Sequence, residues 1–140
     1  LKHLKNATDS WNGVVTLTRA DNVTRQNGSG GDYTIDYNGY KARLISGQEI
    51  AAIAGDNEWT QGSGSIEGLP TWVYSNMAVN AEMEITDVYE HAVYWTDSAP
   101  AWYPLHAWFV DVAGFLGGSY VSRAGGYGVR PVVRIMKSNL

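Results

Sequence analysis

Apolar and polar positions alternate differently in the two halves of the chain. In the first third, Val14-Val15-Thr16-Leu17-Thr18 is β-branched and predicts a strand. Asn27 to Asp32 is glycine-rich and predicts a loop, and Tyr33 to Tyr40 predicts a hairpin turning on Asn38-Gly39. The clearest helix signal follows. Ser46-Gly47-Gln48-Glu49 fits a capping box, Ile50, Ile53 and Ala54 then share one face, and Gly55 can end the helix. A weaker pattern predicts a second helix near Asn76 to Met83. Gly62 to Gly68 reads as loop, and Pro70 to Tyr74 resumes apolar character.

Past Thr86 the pattern turns to period two. Strands are predicted at Ala92–Thr96, at Ala107–Val112 and over Val129–Ile135, with Pro131 putting the last near an edge or a strand start. Ser98–His106 and Ala113–Gly128 read as turn-rich connections. Helices and strands are segregated along the chain, which predicts an α+β fold with short helices and a mainly antiparallel sheet. At 140 residues the chain is expected to form one domain.

Composition narrows the function. A net charge of −4 with no Lys/Arg run argues against nucleic acid as a partner, because phosphate neutralisation needs a basic footprint. No apolar run of 18 residues suggests membrane insertion. Cysteine is absent, which removes disulfides, thiolate metal sites and cysteine nucleophiles. His3, His91 and His106 stand apart, no Gly-x-Ser-x-Gly elbow exists, and no acidic run has the length of a calcium loop, so neither a catalytic triad, a metal site nor a cofactor is expected. The hydrolase reading that remains rests on Asp97 and Asp111, two carboxylates set among aromatics.

Several segments together carry a resemblance: Ala42-Arg43-Leu44-Ile45-Ser46 with Glu49-Ile50, Pro70-Thr71-Trp72-Val73-Tyr74, Tyr94-Trp95-Thr96-Asp97-Ser98, Ala107-Trp108-Phe109-Val110, and above all Tyr127-Gly128-Val129-Arg130-Pro131-Val132-Val133. Over roughly residues 40 to 135 the chain resembles bacterial and viral domains with the formylglycine-generating-enzyme version of the C-type lectin fold. The catalytic branch of that group relies on cysteines, which this chain lacks. The other branch contains the variable proteins of diversity-generating retroelements, ligand-binding domains whose C-terminal codons are rewritten at adenines, mostly in AAY codons. That resemblance implies a non-catalytic binding protein, viral or microbial, working at a virion or cell surface on a protein or glycan of a target surface.

Rewriting the first two bases of an AAY codon cannot yield Lys, Glu, Gln, Met or Trp. Residues 91–135 contain no Lys, Glu, Gln or Met, although the other 95 residues contain 16 of them. Three Trp do fall in the stretch, and of these Trp95 and Trp108 are expected to be fixed scaffold. Plain β structure also disfavours Lys, Glu and Gln, so the depletion has a second possible cause. The display region is therefore set at 91–135. Its predicted ligand-binding residues are Ala99, Ala101, Trp102, Tyr103, Leu105, His106, Phe109, Asp111, Ala113, Phe115, Leu116, Ser119 and Tyr120. Period-two alternation is expected to turn Trp108, Val110 and Val112 inward and Phe109, Asp111 and Ala113 outward. Arg130 is assigned to scaffold hydrogen bonding, and Val129, Val132, Val133 and Ile135 to the core. Two other non-catalytic readings stay open: a fixed carbohydrate-binding adhesin stacking sugars on Trp102, Tyr103 and Tyr120, and a structural subunit that uses Phe109, Phe115 and Tyr120 for assembly. The Glu-Pro-Asn calcium element of sugar-binding lectins is missing, and Trp95-Thr96-Asp97 only partly echoes their Trp-Asn-Asp.

Overall fold

The structure, a computed structural model, describes residues 1–26, 31–74, 93–103, 105–111, 113–121 and 128–139. It is an α+β arrangement of three short α-helices, two single-turn 3-10 helices and eight short strands among the described residues. Helix α1 (Lys2–Thr8) is followed by β1 (Val23–Gln26), β2 (Asp32–Ile35), β3 (Arg43–Leu44), α2 (Gly47–Ile53) and α3 (Thr71–Tyr74). The later strands are β4 (Tyr94–Trp95), β5 (His106–Val110), β6 (Leu116–Tyr120), β7 (Gly128–Val129) and β8 (Pro131–Val132). They form a β1-β2 pair, a β3-β8 pair and a four-stranded sheet in the order β6-β5-β4-β7. All pairings are antiparallel except β4 with β7.

Helix α2 forms where its capping box predicts. Ser46 Oγ accepts from the Glu49 N–H at 3.0 Å, and Glu49 Oε2 accepts from the Ser46 N–H at 2.9 Å. Gly55 follows the helix at φ +91, the left-handed conformation that closes a helix. Ile50 and Ala51 are buried with Trp59, Leu69, Val73, Tyr94, Trp108, Val110 and Leu116 in the main core. A second core joins Leu4, Leu17, Tyr37 and Ala42, with Val133 partly buried against it. The inward alternation of Trp108 and Val110 is present, while Val112 lies outside the described residues.

Several expectations are corrected. In the Val14–Thr18 stretch only Val14 pairs, in an isolated bridge to Ile135, and Leu17 enters the second core instead. The hairpin pairs β1 with β2 instead. Asn38-Gly39 makes a tight turn with Gly39 at φ +81 but joins no two strands. Residues 129–135 are not one strand: Pro131 cannot donate a ladder hydrogen bond, and the chain changes sheets around Arg130. Val129 and Ile135 are exposed rather than core. Strand β6 occupies part of what reads as loop, and α1 had no counterpart in the sequence pattern. The helix predicted near residues 76–83 lies outside the described residues.

Arg130 does tie the scaffold. Its guanidinium donates to the carbonyls of Trp72 and Val73 at the end of α3 and lies over the Tyr94 ring, 5.6 Å from its centroid. Burial, the largest influence on the Tyr94 hydroxyl, raises its pKa against the opposing effect of Arg130, and the hydroxyl donates to the Val73 carbonyl at 3.0 Å. No helix among the described residues is long and apolar enough to cross a membrane.

Candidate functional site

Strands β5 and β6 run in unbroken register from His106 opposite Tyr120 to Val110 opposite Leu116. Directly opposed residues share a face of the sheet. Val110, Leu116 and Trp108 therefore line the core face, and Gly118, His106 and Tyr120 continue that face past the end of the core. Over this extension lies a 330 Å³ cleft lined by Gly64, Ser65, Pro100, Trp102, Tyr103, His106, Trp108, Gly118 and Tyr120.

Aromatic rings build the walls. Tyr103 stacks on His106 with centroids 4.6 Å apart and planes 19° from parallel, and His106 meets the Tyr120 ring at 4.1 Å and 65°. Trp102 stands edge-on to Tyr103 and to Trp108, at 6.4 and 6.1 Å. Trp108 is in turn edge-on to Trp59, whose Nε1 donates to the Gly64 carbonyl at 3.0 Å, so the floor and one wall are braced together. Trp102, Tyr103 and Tyr120 are 45, 50 and 49% exposed, which is unusual for rings that could have closed over the core. No Lys, Arg, Asp or Glu lines the cleft. Two buried ring nitrogens, His106 Nε2 and Trp108 Nε1, have no hydrogen-bond partner among the described residues. The surface thus offers flat apolar faces and polar tips to an uncharged group.

Of the residues predicted to meet a ligand, the cleft gathers Trp102, Tyr103, His106 and Tyr120. Leu105 and Ala113 are exposed outside it, and Ala101 and Ser119 are partly buried. Three expectations are overturned. Leu116 is fully buried because its face of β6 is the core face. Ala99 is buried, with its carbonyl accepting from Gln61 Nε2 at 2.6 Å. Phe109 does leave the main core, as alternation requires, but Trp95 and Phe115 cover it edge-on at 6.2 and 5.8 Å, and it is only 8% exposed. Phe115 is itself half-buried against it. Gly64, Ser65, Pro100 and Gly118 were missed. Glycine and proline in a sequence signal turns, not walls, and residues 64 and 65 reach the cleft only through tertiary packing.

The two carboxylates of the hydrolase reading have other work. Asp97 sits at a bulge where Trp108 bonds both neighbours: the Thr96 N–H donates to the Trp108 carbonyl at 2.9 Å and the Trp108 N–H to the Ser98 carbonyl at 2.8 Å. Its buried carboxylate accepts from Arg25 Nε and Nη2, each at 3.1 Å, and from the Ser98 hydroxyl at 3.1 Å. Tyr33 donates to the Asp97 carbonyl at 2.9 Å; burial first, then the Asp97 charge, pushes that hydroxyl up to about 12, so it stays a donor. Asp111 caps the β5-β6 turn by accepting from the Ala113 N–H at 2.6 Å, ahead of Gly114 at φ +79. Among the described residues no cluster of three His, Cys, Asp or Glu could hold a metal ion.

No protein-family model, curated protein or solved structure matches the chain.

Proposed function

We propose that the chain is a non-catalytic ligand-binding domain of the C-type-lectin kind, and that the aromatic cleft is the centre of its binding surface. The observation that carries this reading is the convergence of Trp102, Tyr103, His106 and Tyr120 on one cleft that no Lys, Arg, Asp or Glu lines. Rigid rings with few rotatable bonds give contact area at low entropy cost, which is why paratopes favour them. The same residues fall within 91–135, the stretch that lacks Lys, Glu, Gln and Met. A variable protein of a diversity-generating retroelement, viral or microbial and working at a virion or cell surface, accounts for both features. Tyr103, His106 and Tyr120 are reachable from AAY codons; Trp102 is not, and in this reading it came from another codon or is fixed.

Deep sequencing of the gene across its natural population tests the reading. Expected are substitutions concentrated at positions 99–121 whose side chains reach the surface, with Trp108, Leu116 and Gly128 to Val133 unchanged. Variation scattered over the chain, or none, sinks the retroelement reading. A second reading is a fixed carbohydrate-binding adhesin, favoured by the exposed rings of Trp102, Tyr103 and Tyr120. Binding on a glycan array, lost in Trp102→Ala and Tyr120→Ala, would establish it.

A further inference from the structure

The outer edge of β6 is half covered. Leu116 and Ile66 exchange both backbone hydrogen bonds, at 2.8 and 3.1 Å, in an antiparallel bridge. The Leu116 backbone therefore points away from β5. Phe115 and Val121 point toward β5 and its flanks: the Phe115 carbonyl accepts from Asp111 N–H and the Val121 N–H donates to the Leu105 carbonyl. In an antiparallel ladder this direction alternates residue by residue. Gly118 and Tyr120 must then present their N–H and C=O groups outward, beyond Leu116, and none of these outward groups has a partner among the described residues.

The chain leaves this edge for a definite reason. Gln61 accepts from the Ala101 N–H at 2.9 Å through its carbonyl, and its side-chain amide donates to the Ala99 carbonyl. The Gly64 carbonyl is held by Trp59. Residues 61–64 are thus drawn to the 99–101 loop after a single bridge, and the cleft opens where they would otherwise have continued along β6.

We propose that the cleft receives an extended polypeptide segment, which adds to β6 as one further strand in the line that Ile66 begins. This rests on the cleft being the binding surface. Main-chain hydrogen bonds to Gly118 and Tyr120 supply affinity, and alternate side chains of the incoming segment fall among Trp102, Tyr103 and Tyr120 for selectivity. Gly64 and Ser65 line the cleft together with Gly118 and Tyr120. The aromatic lining, without Lys, Arg, Asp or Glu, predicts a segment whose inserted residues are apolar or aromatic.

The test pans a phage-displayed library of random dodecapeptides against the full chain and synthesises the enriched peptides. Expected are apolar or aromatic residues at every second position, and an N-methyl scan in which alternate amides weaken binding at least tenfold while those between have little effect. In amide exchange followed by NMR, the Gly118 and Tyr120 N–H groups should exchange freely in the unbound chain and slow at least tenfold with peptide, whereas Gly117 and Ser119 are slow in both. Trp102→Ala and Tyr120→Ala should each weaken the peptide about tenfold. Failure to enrich any peptide, or an N-methyl scan without alternation, overturns strand addition. Protection of Gly118 and Tyr120 that grows with protein concentration alone assigns the edge to a second copy of the chain and also overturns it. Glycan binding lost in Trp102→Ala would then leave the cleft as the binding surface, whereas peptide binding indifferent to Trp102 and Tyr120 would remove both inferences.

Discussion

Gly47 is pressed against Trp59: a Cβ at Gly47 would lie 2.7 Å from Trp59 Cη2 and 3.4 Å from the Cβ of Ser98. The Gly47 N–H also donates to Ser98 Oγ at 3.0 Å. The first turn of α2 thereby rests on the ring that braces Trp108 and Gly64, and the floor of the cleft depends on a missing methyl group.

Gly47→Ala is expected to destabilise the fold by about 1–3 kcal/mol, the usual cost of overpacking a filled core. It does so although alanine is the better helix former, because Trp59 is held edge-on to Trp108 and by its own hydrogen bond and has little room to yield. Urea unfolding of the variant measures it. A midpoint at or above that of the parent would mean that Trp59 moves freely.

The Arg25–Asp97 pair fastens the β1-β2 hairpin to the bulge beside β5. The Asp97 side chain is fully buried and that of Arg25 about one-fifth exposed, so removing either partner strands the other. Asp97→Ala should cost about 3 kcal/mol, and Arg25→Met with Asp97→Leu should cost less than Asp97→Ala alone. Denaturant titrations of the three proteins decide it. Equal losses would show that Ser98 and the local backbone, rather than the ion pair, carry the energy.

How much of this was visible beforehand varies by element. The capping box at Ser46 was legible because it is made by residues three apart, and the strand at Trp108 because alternation is local. Strand β6 was not. Its Gly117-Gly118 pair reads as a turn, yet both positions are glycine because rings occupy the space: a Cβ at Gly117 would lie 2.5 Å from Phe115 Cε2, and one at Gly118 3.2 Å from Pro100 Cγ. The burial of Phe109 was hidden for the same reason. Alternation correctly turned it off the main core, but nothing in a local pattern announces that Trp95 and Phe115 cover the other face.

Acid should weaken the anchor of α2. Burial raises the Glu49 pKa, but hydrogen bonds and charge from Arg43, together with the Ser46 N–H, outweigh it and leave the value below its ordinary 4.5. A depressed folded-state pKa means that the charged form stabilises the fold. The contribution is present above pH 4.5 and is lost as pH falls through the folded value. Unfolding midpoints measured from pH 7 to pH 3 should converge for the parent and Glu49→Gln at the acid end and differ above pH 5. Parallel curves would count against the Arg43 contact.

Exposed and covered aromatics should separate cleanly on substitution. Trp102→Ala and Tyr120→Ala remove rings that are about half exposed, so each should change stability by only about 0.5 kcal/mol, as surface changes do. Phe109→Ala empties a covered position between Trp95 and Phe115 and should cost about 3 kcal/mol. The contrast matters for function. A binding surface predicts that the first two variants fold like the parent and lose ligand, whereas a purely structural subunit predicts that Tyr120→Ala impairs assembly. Thermal unfolding and sedimentation of the three variants read both. Loss of folding in Trp102→Ala, comparable to that of Phe109→Ala, would make the cleft rings part of the core and withdraw them from recognition.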